Sequence, residues 1–181
     1  CATDGDLDIA YALILAAHEW KVPKYMAEAK KILAGIEASL IRPDYSLRRG
    51  DWDRDQHATR LSDIMPTHFD AFAQVSNRKL WRCVKGVHYS ILRQMSLYEG
   101  VFPDFVVKGK TGWKPAPPNF LESDYDGMMY YNACRVPWRL AAAVIENSDK
   151  DARHLLRIFN FGIGKVPNDD FMAGYRLDGK P

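Results

Sequence analysis

Long apolar runs are absent from this chain. Nowhere do about 18 apolar residues follow one another, so no membrane-spanning helix is expected. Cysteine is scarce: Cys1, Cys83 and Cys134 have neither the spacing of a metal site nor the even number of a disulfide framework. The five histidines are scattered with no pair at ligand spacing, so no metal and no other cofactor is expected. Neither sign of charge is in excess: 25 Lys and Arg stand against 23 Asp and Glu, a net charge of +2, which gives no electrostatic footprint for nucleic acid. No fixed repeat is visible, which argues against a solenoid. What is present is 181 residues, 47% apolar and 27% charged, enough for one ordinary domain with a real core.

The pattern is helical nearly throughout. A first helix is expected over about Asp6–Trp20, ending before Pro23, with Ile9, Leu13, Ala16 and Trp20 forming its buried stripe. Pro23 opens a second helix to Leu40, carrying Met26, Ala29, Ile32, Leu33, Ile36 and Leu40 on one face. Further helices are expected over Thr67–Val75, Arg78–Tyr98, Asn132–Asn147 and Asp149–Phe161. Two long stretches interrupt them. Arg42–Asp63 is charged and turn-rich, and Gly100–Tyr125 is broken by prolines and glycines, with a weak strand signal at Asp104–Val107. Long loops of this kind in a helical domain are usually functional.

Two segments concentrate chemistry. In the first, Asp4, Asp6 and Asp8 stand at the start of an alanine-rich helix, where carboxylates suit the helix dipole. Thr3 and Asp6 have the outline of a capping box. The alternation of aspartates does not make a calcium loop, because Ile9 occupies the glycine position and Leu15 the bidentate glutamate position. The second segment is Asn119–Arg139. Glu122 lies in a loop flanked by Phe120, Leu121 and Tyr125, and apolar surroundings can poise a carboxyl for proton transfer. Asn132 precedes a helix with Pro137 in its first turn and so reads as its N-cap. Arg135 can fork onto a carboxylate, and Trp138 reads as core. Without further information, capping, solvation and packing account for these residues as well as catalysis does.

A resemblance separates the two readings. The run from Ala2 to Trp20, opening Ala2-Thr3-Asp4-Gly5-Asp6-Leu7-Asp8-Ile9-Ala10-Tyr11, resembles the signature segment of glycoside hydrolase family 8. Tyr131-Asn132-Ala133-Cys134-Arg135-Val136-Pro137-Trp138-Arg139 resembles the second block of the same family, and Thr59–Phe69 is similar to a third. Most cellulases and xylanases of the family carry Asp as general base where this chain has Asn132. An amide cannot accept the proton, and a branch with chitosanases and β-glucanases shares the Asn and takes its base from a glutamate in the preceding loop. The resemblance therefore implies Glu122 as base.

The same resemblance implies an all-α fold, part of an (α/α)6 barrel with roughly half present, so that residues 1–181 form a single partial catalytic domain. It implies an inverting endo-glycosidase acting on β-1,4-linked polysaccharide such as chitosan or β-glucan. A cellulase or xylanase of the family, or a carbohydrate-binding relative without activity, is the alternative. Asp4 would hold the distorted sugar and orient water, with Asp6 beside it. Asn132 would bind water or sugar, Arg135 a carboxylate, and Asp63 a sugar. Tyr131, Trp52 and Trp113 would stack on sugar faces. The general acid would precede Asp4 in the family's order and lie outside this chain. The partners implied are a polysaccharide and the remainder of the barrel or a second copy, with neither nucleic acid nor membrane. The location implied is secreted, periplasmic or cell-surface.

Overall fold

A computed structural model describes residues 2–53, 57–166 and 171–180. Among the described residues six α-helices form three antiparallel hairpins: α1 (Thr3–Trp20) with α2 (Pro23–Ser39), α3 (Pro66–Val75) with α4 (Arg78–Met95), and α5 (Arg135–Asn147) with α6 (Lys150–Ile163). Local chemistry sets most of their ends. Pro23 and Pro66 stand in the first turns of α2 and α3, where a missing N–H costs nothing. The Asn77 side chain caps α4 by accepting from the Leu80 N–H at 3.1 Å, and Asp149 caps α6 through the Ala152 N–H at 3.0 Å. Lys21 and Ser148, both with positive φ, turn the chain between helices of a hairpin.

Helix α3 lies between α1 and α5 and packs on both, so these three line one side while α2, α4 and α6 back them. The core runs between the two layers. Trp81 of α4 is fully buried against Phe69 and Phe72 of α3, with ring centroids at 5.8 and 4.8 Å, and its indole N–H donates to Glu37 of α2 at 2.7 Å. The turn after α4 approaches α6 closely. Gly100 has φ +79°, and a Cβ there would stand 2.5 Å from the Ile158 carbonyl oxygen.

The loops hold more order than their composition suggests. A three-stranded antiparallel sheet, β1 (Ala58–Arg60), β2 (Phe105–Gly109) and β3 (Gly112–Pro115), runs in that order, with Arg60 opposite Phe105 and Lys108 opposite Trp113. The expected strand at Asp104–Val107 is thus the first half of β2. Its partners are too short to leave a period-two signature.

Other expectations shift. Helix α1 starts at Thr3 after Ala2, and no side chain caps it. The Thr3 hydroxyl instead donates to the Arg48 carbonyl at 2.7 Å, so there is no capping box. The buried face of α1 is Thr3, Leu7, Ala10 and Ile14, while Ile9 and Trp20 of the expected stripe are exposed. The helix is apolar nearly all round, so periodicity could not select a face. Asn132 is not the cap of α5, which begins at Arg135 after Cys134, because its amide is engaged elsewhere. Trp138 is exposed, with the Arg139 guanidinium 4.3 Å over its ring, and is not core. Cys1 lies outside the described residues; Cys83 and Cys134 are free thiols.

Candidate active site

Three pieces of chain deliver charged groups to one place: the first turn of α1, the turn between β1 and α3, and the loop that enters α5. The Arg60 guanidinium lies at the centre. One amino group donates to Asp4 Oδ2 at 3.3 Å and the other to Glu122 Oε1 at 3.3 Å. The second oxygen of Glu122 accepts from the Asn132 amide at 2.8 Å. The Asn132 carbonyl accepts from Arg135 at 3.0 Å, and Arg135 returns to Asp4 Oδ2 at 3.8 Å and donates to Ser62 Oγ at 2.8 Å. Asp4, Arg60, Glu122, Asn132 and Arg135 thus close a ring in which Arg60 separates the two carboxylates on one side and the neutral Asn132 amide bridges Glu122 to Arg135 on the other.

The loop holding Glu122 is fixed from beneath by two buried carboxylates. Asp126 accepts the backbone N–H groups of Leu121, Glu122 and Ser123 at 2.6, 3.0 and 3.0 Å. Asp104 accepts those of Tyr130, Asn132 and Ala133 at 2.9, 3.1 and 2.7 Å, and the Asn132 side-chain amide at 3.2 Å. A carboxylate that gathers several N–H donors orders an irregular loop as a helix end orders its cap. This holds the Glu122 backbone, while its side chain remains 45% exposed.

Asp63 stands behind the ring. It is fully buried, 4.0 Å from Arg60, with Ser62 Oγ at 3.5 Å and one carboxylate oxygen unpartnered. Burial, reinforced by the Asp4 charge and opposed by Arg60 and Arg135, pushes its pKa up to about 7. A side chain without exposed surface cannot touch a sugar, so the direct contact expected of Asp63 is corrected: it underlies Arg60. The raised pKa has a thermodynamic sign. An acid whose folded pKa exceeds its unfolded value near 3.9 keeps its full contribution to stability below that value and loses it as pH rises through the folded pKa. Asp63→Asn removes the loss, and should gain about 1–3 kcal/mol over the parent at pH 8 and little at pH 4. Urea melts at the two pH values measure this; an equal difference at both would contradict it.

The remaining expected residues divide. Asp6 is half-buried near the ring, its pKa raised by burial and by the Asp51 and Asp4 charges. Trp52 is exposed, backed by the Arg49 guanidinium at 5.3 Å, which also lies 4.7 Å over Phe120. Tyr131 is exposed and leans on Tyr130 at 4.4 Å, which leans on Tyr125 at 4.7 Å. Both aromatic side chains are open to solvent. Trp113 is not brought to the ring: it sits on β3, packed against the core and edge-on to His57 at 5.7 Å. Arg60 is the member that sequence reasoning missed. It lay inside the Thr59–Phe69 block, but no local signal separates a bridging arginine from a solvated one.

One turn deeper, Asp8 accepts both amino groups of Arg139 at 3.1 and 2.9 Å and pairs with His68 at 2.8 Å. Burial works against its charge, but these two partners hold its pKa below the usual carboxylate range. The pair borders a cavity of about 390 Å³ lined also by Tyr11, Trp138 and Glu146. Exposed apolar side chains flank it, Ile9 and Leu15 on α1 and Ile145 on α5.

Helical hairpins thus gather carboxylates and arginines around an irregular, aromatic-rimmed loop. The chain belongs to the glycosyl hydrolases family 8, whose profile matches residues 1–172. It is 36% identical over 192 residues to a β-glucanase of Niallia circulans, covering 98% of this chain and 47% of that protein. It is 35% identical to an endoglucanase of Bacillus sp. (strain KSM-330), covering 98% and 41%. Among solved structures, the apo β-1,3-1,4-glucanase from Paenibacillus sp. X4 superposes with a TM-score of 0.92 at 34% identity, covering all of this chain and 52% of that one. The chain spans about half the length of the relatives it matches. Its mostly helical fold agrees with the (α/α)6 barrel of the family.

Proposed function

We propose that this chain is the base-carrying part of an inverting endo-glycosidase acting on β-linked glucan, with mixed-linkage β-glucan ahead of chitosan, and that residues 1–181 form part of a longer catalytic domain. The observation that carries this is Glu122: a carboxylate held by Arg60 and Asn132, within a ring that also contains the signature Asp4. Glu122 takes a proton from a water whose oxygen attacks the anomeric carbon. The glycosidic bond breaks as a general acid, carried outside these residues, protonates the leaving oxygen, and the configuration inverts. Inversion needs the two carboxyl groups about 6.5–9.5 Å apart to admit that water. Asp4 orients sugar and water, Asn132 holds Glu122 and the water, and Arg135 keeps Asn132 and Asp4 in register. Trp52 and Tyr131 stack on sugar rings. Asp63 serves from beneath rather than by contact.

Three hairpins where the barrel has six, and apolar side chains left open on α1 and α5, support the partial-domain reading. The names of the relatives support a glucan substrate, and a polymeric substrate of that kind supports a secreted enzyme. Among the described residues no helix is long and apolar enough to cross a membrane. The test is reducing-end release by the full-length enzyme on mixed-linkage β-glucan, chitosan, carboxymethyl-cellulose and xylan, with the first product anomer read by proton NMR. The expected result is β-glucan well ahead of xylan and an α-anomer product. Preference for xylan, a β-anomer, or binding without hydrolysis would each overturn the proposal.

A further inference from the structure

The side chain of Glu122 has no helix or strand to hold it, and a base must be held to well under an ångström to act on one particular water. The Asp126 contacts fix its backbone only. Two groups fix the carboxylate itself, the Asn132 amide and the Arg60 guanidinium. They differ in kind. Asn132 is neutral and serves as a hinge to α5. Arg60 is charged, its side chain is only 11% exposed, and its planar fork reaches Asp4 on one side and Glu122 on the other. The guanidinium also lies 5.4 Å over the Phe105 ring, its partner across β1 and β2, which limits its freedom to swing. Asp63 faces the same cation from below.

We propose that Arg60 is a positioning residue for catalysis, one that locks Asp4 and Glu122 into a common frame, with Asp63 as the buried counter-charge that shares its cation. This rests on Glu122 being the base. Every charged group that faces Arg60 has a part. Asp4 comes from α1, Glu122 from the loop before α5, and Asp63 from the turn after β1, while Arg135 from α5 is the neighbouring cation. When Asp63 is neutral, the charge of Arg60 goes to Asp4 and Glu122. When Asp63 ionises, close to neutral pH, it draws on the same cation, and the hold on Glu122 relaxes.

The experiment compares the parent full-length enzyme with Arg60→Met, Arg60→Lys and Asp63→Asn by pH profiles of kcat and kcat/KM. Arg60→Met should lower kcat by about 10–100-fold with little change in KM, since it loosens geometry rather than binding. Arg60→Lys keeps the charge without the fork, so the rate should recover in part. Asp63→Asn should erase an inflection near pH 7 that the parent shows. A parental kcat in Arg60→Met, a loss in Arg60→Lys as deep as in Arg60→Met, or a rise in KM that matches the fall in kcat would overturn the proposal.

A second readout is independent of turnover. The Glu122 carboxyl carbon, labelled with carbon-13 and assigned by its disappearance in Glu122→Gln, should shift or broaden at fixed pH in Arg60→Met, because the carboxylate loses one of the two partners that orient it. If that variant fails to fold, the same resonance in Arg60→Gln serves. An unchanged resonance overturns the proposal even if no substrate is turned over. Full activity in Glu122→Gln would instead sink the assignment of the base, so the two failures are distinguishable.

Discussion

Glu122→Gln in the full-length enzyme is expected to lower kcat by about 10²–10⁴-fold, the range over which a general base accelerates proton transfer, with KM nearly unchanged. The amide keeps the size and shape of the side chain, and its oxygen can still accept from Asn132 or Arg60 at the positions the carboxylate uses. What it cannot do is take a proton from water. Two comparisons sharpen the result. Asn132→Ala should be milder, because it removes a support at 2.8 Å and not the proton acceptor. Asp4→Asn should also impair turnover, since it weakens both arms that reach Asp4, one from Arg60 and one from Arg135. Reducing-end release at saturating and sub-saturating substrate separates kcat from KM. Near-parental turnover in Glu122→Gln would show that the base lies elsewhere.

The second large effect concerns stability. Asp53 is buried and accepts from Arg42 at 2.9 Å and from Arg49 at 3.0 and 2.8 Å, as well as from the Arg49 backbone N–H at 3.2 Å. Asp53→Ala leaves two guanidiniums buried around a vacated carboxylate. Breaking a buried pair in this way costs about 3–5 kcal/mol. For a chain of this length that corresponds to a fall in Tm of roughly 10 °C. The damage should spread to the site. The Arg48 and Arg49 carbonyls accept from the Thr3 hydroxyl and the Thr3 N–H, and so steady the turn of α1 that carries Asp4. Burial opposes the charge on Asp53, but its Arg49 and Arg42 partners hold its pKa below the usual value. Stability from a depressed acid is present above the unfolded pKa and lost as pH falls through the folded one. The gap between parent and Asp53→Ala should therefore be full at pH 7 and narrow below about pH 4. Thermal melts across that range check it; a gap that is constant with pH would show that packing, not charge, carries the effect.

Much of this was legible before any coordinates. Pro23 marks a helix start by a rule that acts within a single turn, and α2 begins there; the starts expected near Thr67, Arg78 and Asp149 fall within a residue of those of α3, α4 and α6. The pairing of helices into hairpins was implied by the resemblance. The blocks around Asp4 and Asn132 carried the resemblance that the family match bears out. Glu122 was implied by the resemblance to the branch of the family that shares Asn132 and takes its base from the preceding loop.

Other features were beyond local rules. Which face of α1 is buried depended on α2 and α3, because Leu7, Ala10 and Ile14 recur at helical spacing as readily as Ile9, Leu13 and Trp20 do. The role of Arg60 depended on Asp4, 56 residues away, and on Glu122, 62 residues away. The sequence by itself determined the helices, their order and the chemical types at the site, because capping, periodicity and side-chain chemistry are properties of neighbours along the chain. Only the tertiary structure decided that Asp63 lies beneath the site, that Trp113 stands apart from it, and that Arg60 ties Asp4 to Glu122. Burial and ring closure arise when distant segments meet, and no short-range pattern encodes where they will.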